Sequence, residues 1–227
     1  MSIPSPKFLG AALLAALAAL GAPQALAQPA PPLGADDGRL YVFGGPAGLV
    51  AQKNDQLSGE RGGGALIAGA GWKLLPYLSI EGGLFFAARG LDTPAATTPP
   101  AGTFQNTPDT TIGTGGGYVS IKGHFQAGPL EPYVGLGVGR YSSEWRTTTE
   151  APGCQRDCAD TGPRITSTSR DTGYHLAVGT DYRFLRRNAI SVEVRQLKLD
   201  ARFDDIGVGK VHAGGTLLWV GYRRYFF

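Results

Sequence analysis

Residues 77–89 read YLSIEGGLFFAAR. Taken by twos, Leu78, Ile80, Gly82, Leu84 and Phe86 form one set and Ser79, Glu81, Gly83, Phe85 and Ala87 the other. A β-strand sends successive side chains to opposite faces, so this period predicts a strand with one apolar side and one side carrying a carboxylate. The pattern recurs. Val119, Ile121, Gly123 and Phe125 oppose Ser120, Lys122 and His124. Leu176, Val178, Tyr182 and Phe184 oppose His175, Asp181 and Arg183, and Ile190, Val192 and Val194 oppose Ser191, Glu193 and Arg195. In an aqueous sandwich the apolar set would turn inward and the charged set would be wet. A barrel in a bilayer inverts this, with apolar residues toward lipid and polar ones toward the lumen.

Eight stretches carry strand character: Arg39–Val50, Gly63–Trp72, Tyr77–Arg89, Ile112–Phe125, Pro132–Ser142, Gly173–Phe184, Ala189–Leu199 and Ala213–Phe227. Their connections alternate strictly. Lys73–Pro76, Gln126–Glu131 and Leu185–Asn188 are short, whereas Ala51–Gly62, Gly90–Thr111, Ser143–Thr172 and Asp200–His212 are long. A soluble sandwich has no reason to gather its long loops at one end; a membrane barrel has short turns on one side and long loops on the other. The predicted fold is therefore all-β, an eight-stranded antiparallel up-and-down transmembrane β-barrel over residues 39–227. Aromatics near the strand ends fit two belts at two bilayer interfaces. Trp72, Tyr77, Phe125, Tyr133, Tyr182, Phe184, Tyr225 and Phe227 lie by the short turns, and Phe86, Tyr141, Trp145 and Phe203 by the long loops.

Residues 1–27 read as a cleaved secretory signal peptide. Lys7 supplies the positive end, an Ala/Leu-rich stretch follows, and Ala25-Leu26-Ala27 gives the small-x-small cleavage pattern. Residues 28–38 (QPAPPLGADDG) form a Pro-rich, flexible segment expected in the periplasm. Losing Lys7 lowers the formal net charge of the 227-residue chain from +3 to +2, which does not suggest a nucleic-acid partner. The chain has 35 glycines, about twice the usual ~7%, scattered among strand residues without a collagen period. No later segment is apolar for long enough to form a membrane helix, a test that barrel strands escape.

The chain ends TLLWVGYRRYFF. Alternate residues back from Phe227 are Tyr225, Arg223, Gly221, Trp219 and Leu217. This resembles the carboxy-terminal β-signal of bacterial outer-membrane proteins, with Trp219, Tyr225 and Phe227 in the places that the barrel-assembly machinery reads by strand addition. Arg223 departs from that pattern, and its guanidinium is expected to snorkel to water at the interface. Glu131-Pro132-Tyr133-Val134-Gly135-Leu136-Gly137-Val138-Gly139 and Gly179-Thr180-Asp181-Tyr182-Arg183-Phe184 resemble two strand motifs of the small outer-membrane barrel superfamily. That superfamily includes the OmpA/OmpX-type barrels and the opacity and Omp25-like surface proteins. The resemblance implies the outer membrane of a Gram-negative cell, with loops outside, the N-terminus in the periplasm, and outer-membrane lipid and lipopolysaccharide as surroundings. It specifies fold and compartment better than activity.

Few residues suggest chemistry. Cys154 and Cys158, in the longest loop, are expected to form a disulfide in an oxidising compartment. Glu81, Lys122, His124, Asp181, Arg183, Glu193 and Arg195 are expected to form a polar network in the lumen, because eight strands leave an interior just wide enough for side chains to fill. Neither a cofactor nor a metal is implied: Cys154 and Cys158 alone are not a zinc site, and His124, His175 and His212 lie far apart. Lipid A deacylases share this scaffold and use a His and a Ser two residues apart, but none of the three histidines is followed by that spacing. A nucleophile needs a base within reach, and no local spacing supplies one. The sequence therefore favours a non-enzymatic outer-membrane barrel that anchors surface loops, for envelope structure or for contact with a surface ligand the sequence does not identify. The rival readings are a narrow channel for small or hydrophobic solutes and, third, a lipid A-modifying enzyme.

Overall fold

The computed structural model describes residues 39–51, 60–92, 109–148, 164–185 and 187–226. The signal-peptide and entry segments, Cys154, Cys158 and Phe227 lie outside the described residues. The strands are β1 (Leu40–Ala51), β2 (Glu60–Leu75), β3 (Leu78–Asp92), β4 (Asp109–His124) and β5 (Leu130–Thr148). They continue with β6 (Arg164–Leu185), β7 (Asn188–Lys198), β8 (Asp200–Phe203), β9 (Gly209–His212) and β10 (Gly215–Phe226). Eight of them close a ring in the order β1-β10-β7-β6-β5-β4-β3-β2, all antiparallel, while β8 and β9 pair only with each other.

The period-two pattern settles facing as expected. Leu84, Phe86, Val119, Ile121, Leu136, Val138, Leu176, Val192 and Leu218 stand outward and exposed, while Glu81, Lys122, Asp181 and Glu193 are buried within the ring. A protein in water would not leave Leu136 64% and Phe125 65% exposed while hiding its carboxylates; a bilayer around the ring reverses the preference.

The expected loops are shorter than the sequence pattern suggested. Of Ser143–Thr172, the described residues 143–148 and 164–172 are strand: β5 and β6 stay paired as far as Thr148 opposite Arg164. Likewise β3 and β4 remain paired up to Asp92 opposite Asp109, inside the expected loop Gly90–Thr111. Beyond the lipid band, alternation is between hydroxyls and charges and no longer marks a strand by hydropathy. The ladder persists because β-branched Thr fits it and inward hydroxyls pair, as Thr114 with Ser143 and Thr110 with Thr147. β5 and β6 reach 19 and 22 residues against 11 for β7, whereas ~9–11 tilted residues span a bilayer. One side of the barrel thus rises as a wall. The expected loop Asp200–His212 also carries a hairpin of its own, β8–β9.

Each aromatic belt forms in part, with Phe86 exposed as expected toward the loop end. Trp72, Tyr77, Phe125, Tyr182 and Phe184 are exposed at the turn end, joined by Tyr222 and Phe226. Tyr133 and Tyr225, assigned to that belt, are buried, and so are Tyr141, Trp145 and Phe203 of the expected loop-end belt. Strand parity turns them inward; nearness to a strand end does not fix facing. Their bulk explains many glycines. An added Cβ at Gly71 would lie 2.3 Å from the Tyr41 ring, at Gly179 2.6 Å from Tyr133, and at Gly221 2.0 Å from Trp219. A lumen this narrow holds large side chains only where the adjacent inward position, on the neighbouring strand for Tyr41 and Tyr133 and two residues along β10 for Trp219, offers none.

Candidate functional site

The interior is divided into two zones. At the turn end every barrel strand sends a polar or charged group inward. Lys122 on β4 donates to Glu193 on β7 at 2.7 Å and makes an ion pair with Glu81 on β3 at 2.8 Å. Arg195 binds Glu193 from the same strand at 2.7 Å, and the Tyr133 hydroxyl on β5 donates to Glu193 at 2.9 Å. Arg223 on β10 donates to Asp181 on β6 at 2.8 Å and lies 3.0 Å from Glu81. Ser191 and Tyr225 also bond Asp181, and the Tyr41 hydroxyl on β1 donates to Glu81 at 2.8 Å. Glu131 at the start of β5 gathers Lys73 from β2, Arg183 at 2.6 Å and His124 at 2.8 Å. Unpaired ions in so dry an interior would cost several kcal/mol each, and this cross-lumen pairing removes most of that penalty.

All seven residues of the expected network, Glu81, Lys122, His124, Asp181, Arg183, Glu193 and Arg195, lie in this zone. The sequence reading missed Lys73, Glu131, Tyr41 and Arg223. Arg223 corrects an expectation outright: it does not snorkel, but is fully buried between two carboxylates. Its parity with Trp219 and Tyr225 was the available signal, since all three turn inward. Glu131 falls in the turn expected from the sequence, whereas β5 already includes it. Lys73 and Arg183 each precede a Ser-x-Glu stretch (Ser79-x-Glu81, Ser191-x-Glu193) by an even number of positions, and both end on Glu131.

Two serine–histidine contacts were also invisible to local spacing. Ser79 Oγ lies 2.7 Å from His124 Nε2, and Ser120 Oγ lies 2.9 Å from His175 Nε2. With Glu131 beside His124 Nδ1, the first has the outline of a Ser-His-Glu triad. A base therefore does stand beside a nucleophile here, on neighbouring strands rather than at a local spacing. Two features oppose catalysis. Ser79 has no exposed surface on which a carbonyl could reach Oγ, and His124 Nδ1 makes no aligned hydrogen bond to Glu131. A fluorophosphonate probe is expected to leave Ser79 unlabelled in the folded protein; labelling lost in Ser79→Ala would assign the triad to hydrolysis. His124, Glu131 and Asp181 also bring ligand atoms within 4.8 Å of one another, but Lys73, Arg183 and Arg223 already hold those carboxylates.

Above the ion pairs the interior carries an apolar cluster, with Arg89 and the buried hydroxyls of Thr110, Thr114, Ser143, Ser167 and Ser169 toward the loop-end rim. Leu49, Ile67, Phe85, Ile112, Tyr141, Leu197 and Leu217 are buried in the cluster, with Phe85 edge-on to Tyr141 at 5.8 Å. The β8–β9 hairpin lies on top. Ala201, Phe203 and Val211 form its buried face, and Phe203 meets Trp145 on β5 at 5.7 Å. Gly207 and Gly209 turn it back at φ of 72° and 73°, which suits glycine. Arg89 on β3, across the ring from β7, donates to the His212 carbonyl at 2.6 Å, and Ser167 and Ser169 on β6 bond Asp205 and the Arg202 N–H. The hairpin is thus held from opposite walls and fills the mouth. On its outer face burial opposes the Asp200 charge, yet Lys210 at 2.8 Å and His212 hold that carboxyl below its ordinary range.

The chain is similar to several solved outer-membrane proteins. OprG of Pseudomonas aeruginosa aligns over 84% of this chain and 97% of its own, at 14% identity and a TM-score of 0.50. Neisserial surface protein A aligns over 82% and 97% at 17% identity and a TM-score of 0.48. Ail, the attachment invasion locus protein of Yersinia pestis, aligns over 82% and 99% at 13% identity and a TM-score of 0.48. No curated protein sequence matches. A family profile described as outer membrane protein beta-barrel domain matches residues 12–223. Eight antiparallel strands in a ring, an apolar exterior and this match lead to one conclusion: the chain belongs to the outer membrane protein beta-barrel domain family, the small barrels of the bacterial outer membrane.

Proposed function

We propose that this protein is a non-enzymatic, non-conducting anchor that holds its long loops and its raised β5–β6 wall at the cell surface, for envelope structure or surface interaction. The reading rests on one observation: the lumen is filled twice over, by ion pairs at the turn end and by the apolar hairpin at the mouth. Eight strands leave room for little else. The short turns, the start of β1 and the end of β10 face the periplasm in this reading, and the loops face outward. Assembly uses the C-terminal strand, with Trp219, Tyr225 and Phe227 as the residues read by the assembly machinery.

Planar-bilayer recording tests this against the channel reading. The purified barrel is expected to give no unitary conductance, and Phe203→Ala, which thins the hairpin plug, is expected to stay silent because the ion-pair layer below remains. Stable openings in the unaltered protein would overturn the anchor reading in favour of a channel.

A further inference from the structure

The outer wall carries a one-sided cluster of cations. Arg140 on β5, Arg170 on β6 and Lys198 on β7 are exposed and point away from the lumen. Arg140 stands opposite Thr172, Arg170 opposite Ser142, and Lys198 opposite Tyr174. Arg140 and Arg170 are therefore diagonal neighbours on one face, about 7–8 Å apart at the backbone, with Lys198 one strand further on. Arg202 extends the group, placed by its N–H bond to Ser169. None of these four has a carboxylate within ion-pair distance among the described residues. Glu144 on the same wall is paired with Arg146, and Asp200 with Lys210 and His212; Asp171 accepts from Ser169 and Asp205 from Ser167, and Asp204 stays at the hairpin tip.

Height matters as much as charge. Directly below the cluster, Val138, Leu136, Leu176, Val178 and Val194 form the exposed apolar band. Tyr174 marks the boundary, half-exposed, with Lys198 Nζ 5.8 Å from its ring. Cations and an aromatic at the rim of an apolar band sit at headgroup level. A general preference for solvated charge above the lipid would distribute them around the barrel. Instead, where side chains are described, the loop-end halves of β1–β4 and β10 carry no outward cation.

We infer that Arg140, Arg170 and Lys198 form a docking patch for the phosphate groups of a phosphorylated glycolipid, such as lipopolysaccharide, in the leaflet at the loop end. Guanidinium forks and an ammonium match phosphate oxygens, and unpaired cations beside lipid leave the counter-charge to the lipid itself. The inference rests on the proposed orientation, with the loop end outside.

Native mass spectrometry of the full barrel in detergent micelles, titrated with rough lipopolysaccharide, tests it. The unaltered protein is expected to retain one or more lipid molecules, and the Arg140→Ala/Arg170→Ala/Lys198→Ala variant to bind roughly a hundredfold more weakly. Enzymatically dephosphorylated lipopolysaccharide is expected to bind the unaltered protein as weakly as that, and millimolar inorganic phosphate not to compete. Arg224→Ala, which removes an exposed cation at the turn end, is the control and is expected to bind normally; heat-modifiable migration confirms that each variant is folded. Equal binding by the triple variant, or an equal loss in Arg224→Ala, would overturn the patch. Dextran sulfate held through these cations with lipopolysaccharide ignored would replace the lipid by an anionic polysaccharide. An epitope inserted at Gly207 and stained on intact cells reads orientation separately: no staining refutes the proposed topology, whatever the binding result.

Discussion

Arg223→Met is expected to remove about 3–5 kcal/mol of folding stability. Arg223 is the only described group that touches both Glu81 and Asp181. Methionine keeps most of the volume and supplies no charge. Glu81 would keep Lys122, but Asp181 would be left with only the Ser191 and Tyr225 hydroxyls. A buried carboxylate without a counter-ion is far costlier than the pair is stabilising, so the loss measures stranding rather than the worth of the bond. Urea unfolding of the barrel in lipid vesicles, followed by tryptophan fluorescence, reads it directly. Arg223→Met/Glu81→Gln/Asp181→Asn is expected to recover most of the loss, because neutral amides need no counter-ion. Arg224→Met, one residue on and exposed, should change stability by no more than about 0.5 kcal/mol. An unfolding midpoint unchanged by Arg223→Met would mean that the interior is wet enough to screen these ions.

Gly45→Val is expected to prevent closure of the barrel, and Gly45→Ala to cost about 3 kcal/mol. A Cβ at Gly45 would lie 2.2 Å from the Val220 carbonyl oxygen and 2.5 Å from the Gly221 Cα. Both are backbone atoms of β10, so no rotamer can relieve the clash. This is also the seam where the first strand meets the last. The β1–β10 register passes from Gly44 opposite Tyr222 to Ala47 opposite Trp219, leaving Gly45 and Pro46 out of the ladder. Pro46 has no N–H to give, and the Trp219 indole N–H donates to the Gly45 carbonyl at 3.1 Å in compensation. A side chain there would push apart the two strands whose pairing completes the ring. Loss of the fast-migrating form on unboiled gels is the readout. Gly48→Ala, on the same strand with nothing within 4 Å of its added Cβ, should fold normally. A normally folded Gly45→Val would show that the seam can widen without losing closure.

Much of this architecture was legible because a barrel obeys a strict local rule. A period of two decides lipid or lumen for each residue independently, so Glu81, Lys122, His124, Asp181, Glu193 and Arg195 could be assigned inward from their neighbours alone. Loop-length alternation likewise needed only the order of turn-forming residues. The rule failed where an extra cue was preferred to it. Nearness to strand ends suggested an outer belt for Tyr141, Trp145 and Phe203, and charge suggested water for Arg223, though parity places all of them inside.

What the sequence determined by itself is facing, the number of strands in the ring and the two-sided character of each of them, since these follow from covalent geometry and the solvent on each face. Partners across the lumen were decided only by the tertiary structure. Lys73 and Glu131, Arg223 and Glu81, and Ser79 and His124 lie on different strands, and their meeting depends on ring order and on the register fixed by strand tilt, neither of which a local pattern carries. The hairpin followed the same logic: Ala201, Phe203 and Val211 turn into the mouth because closure of the ring leaves an apolar opening there, and burying them against Trp145 removes that surface from water.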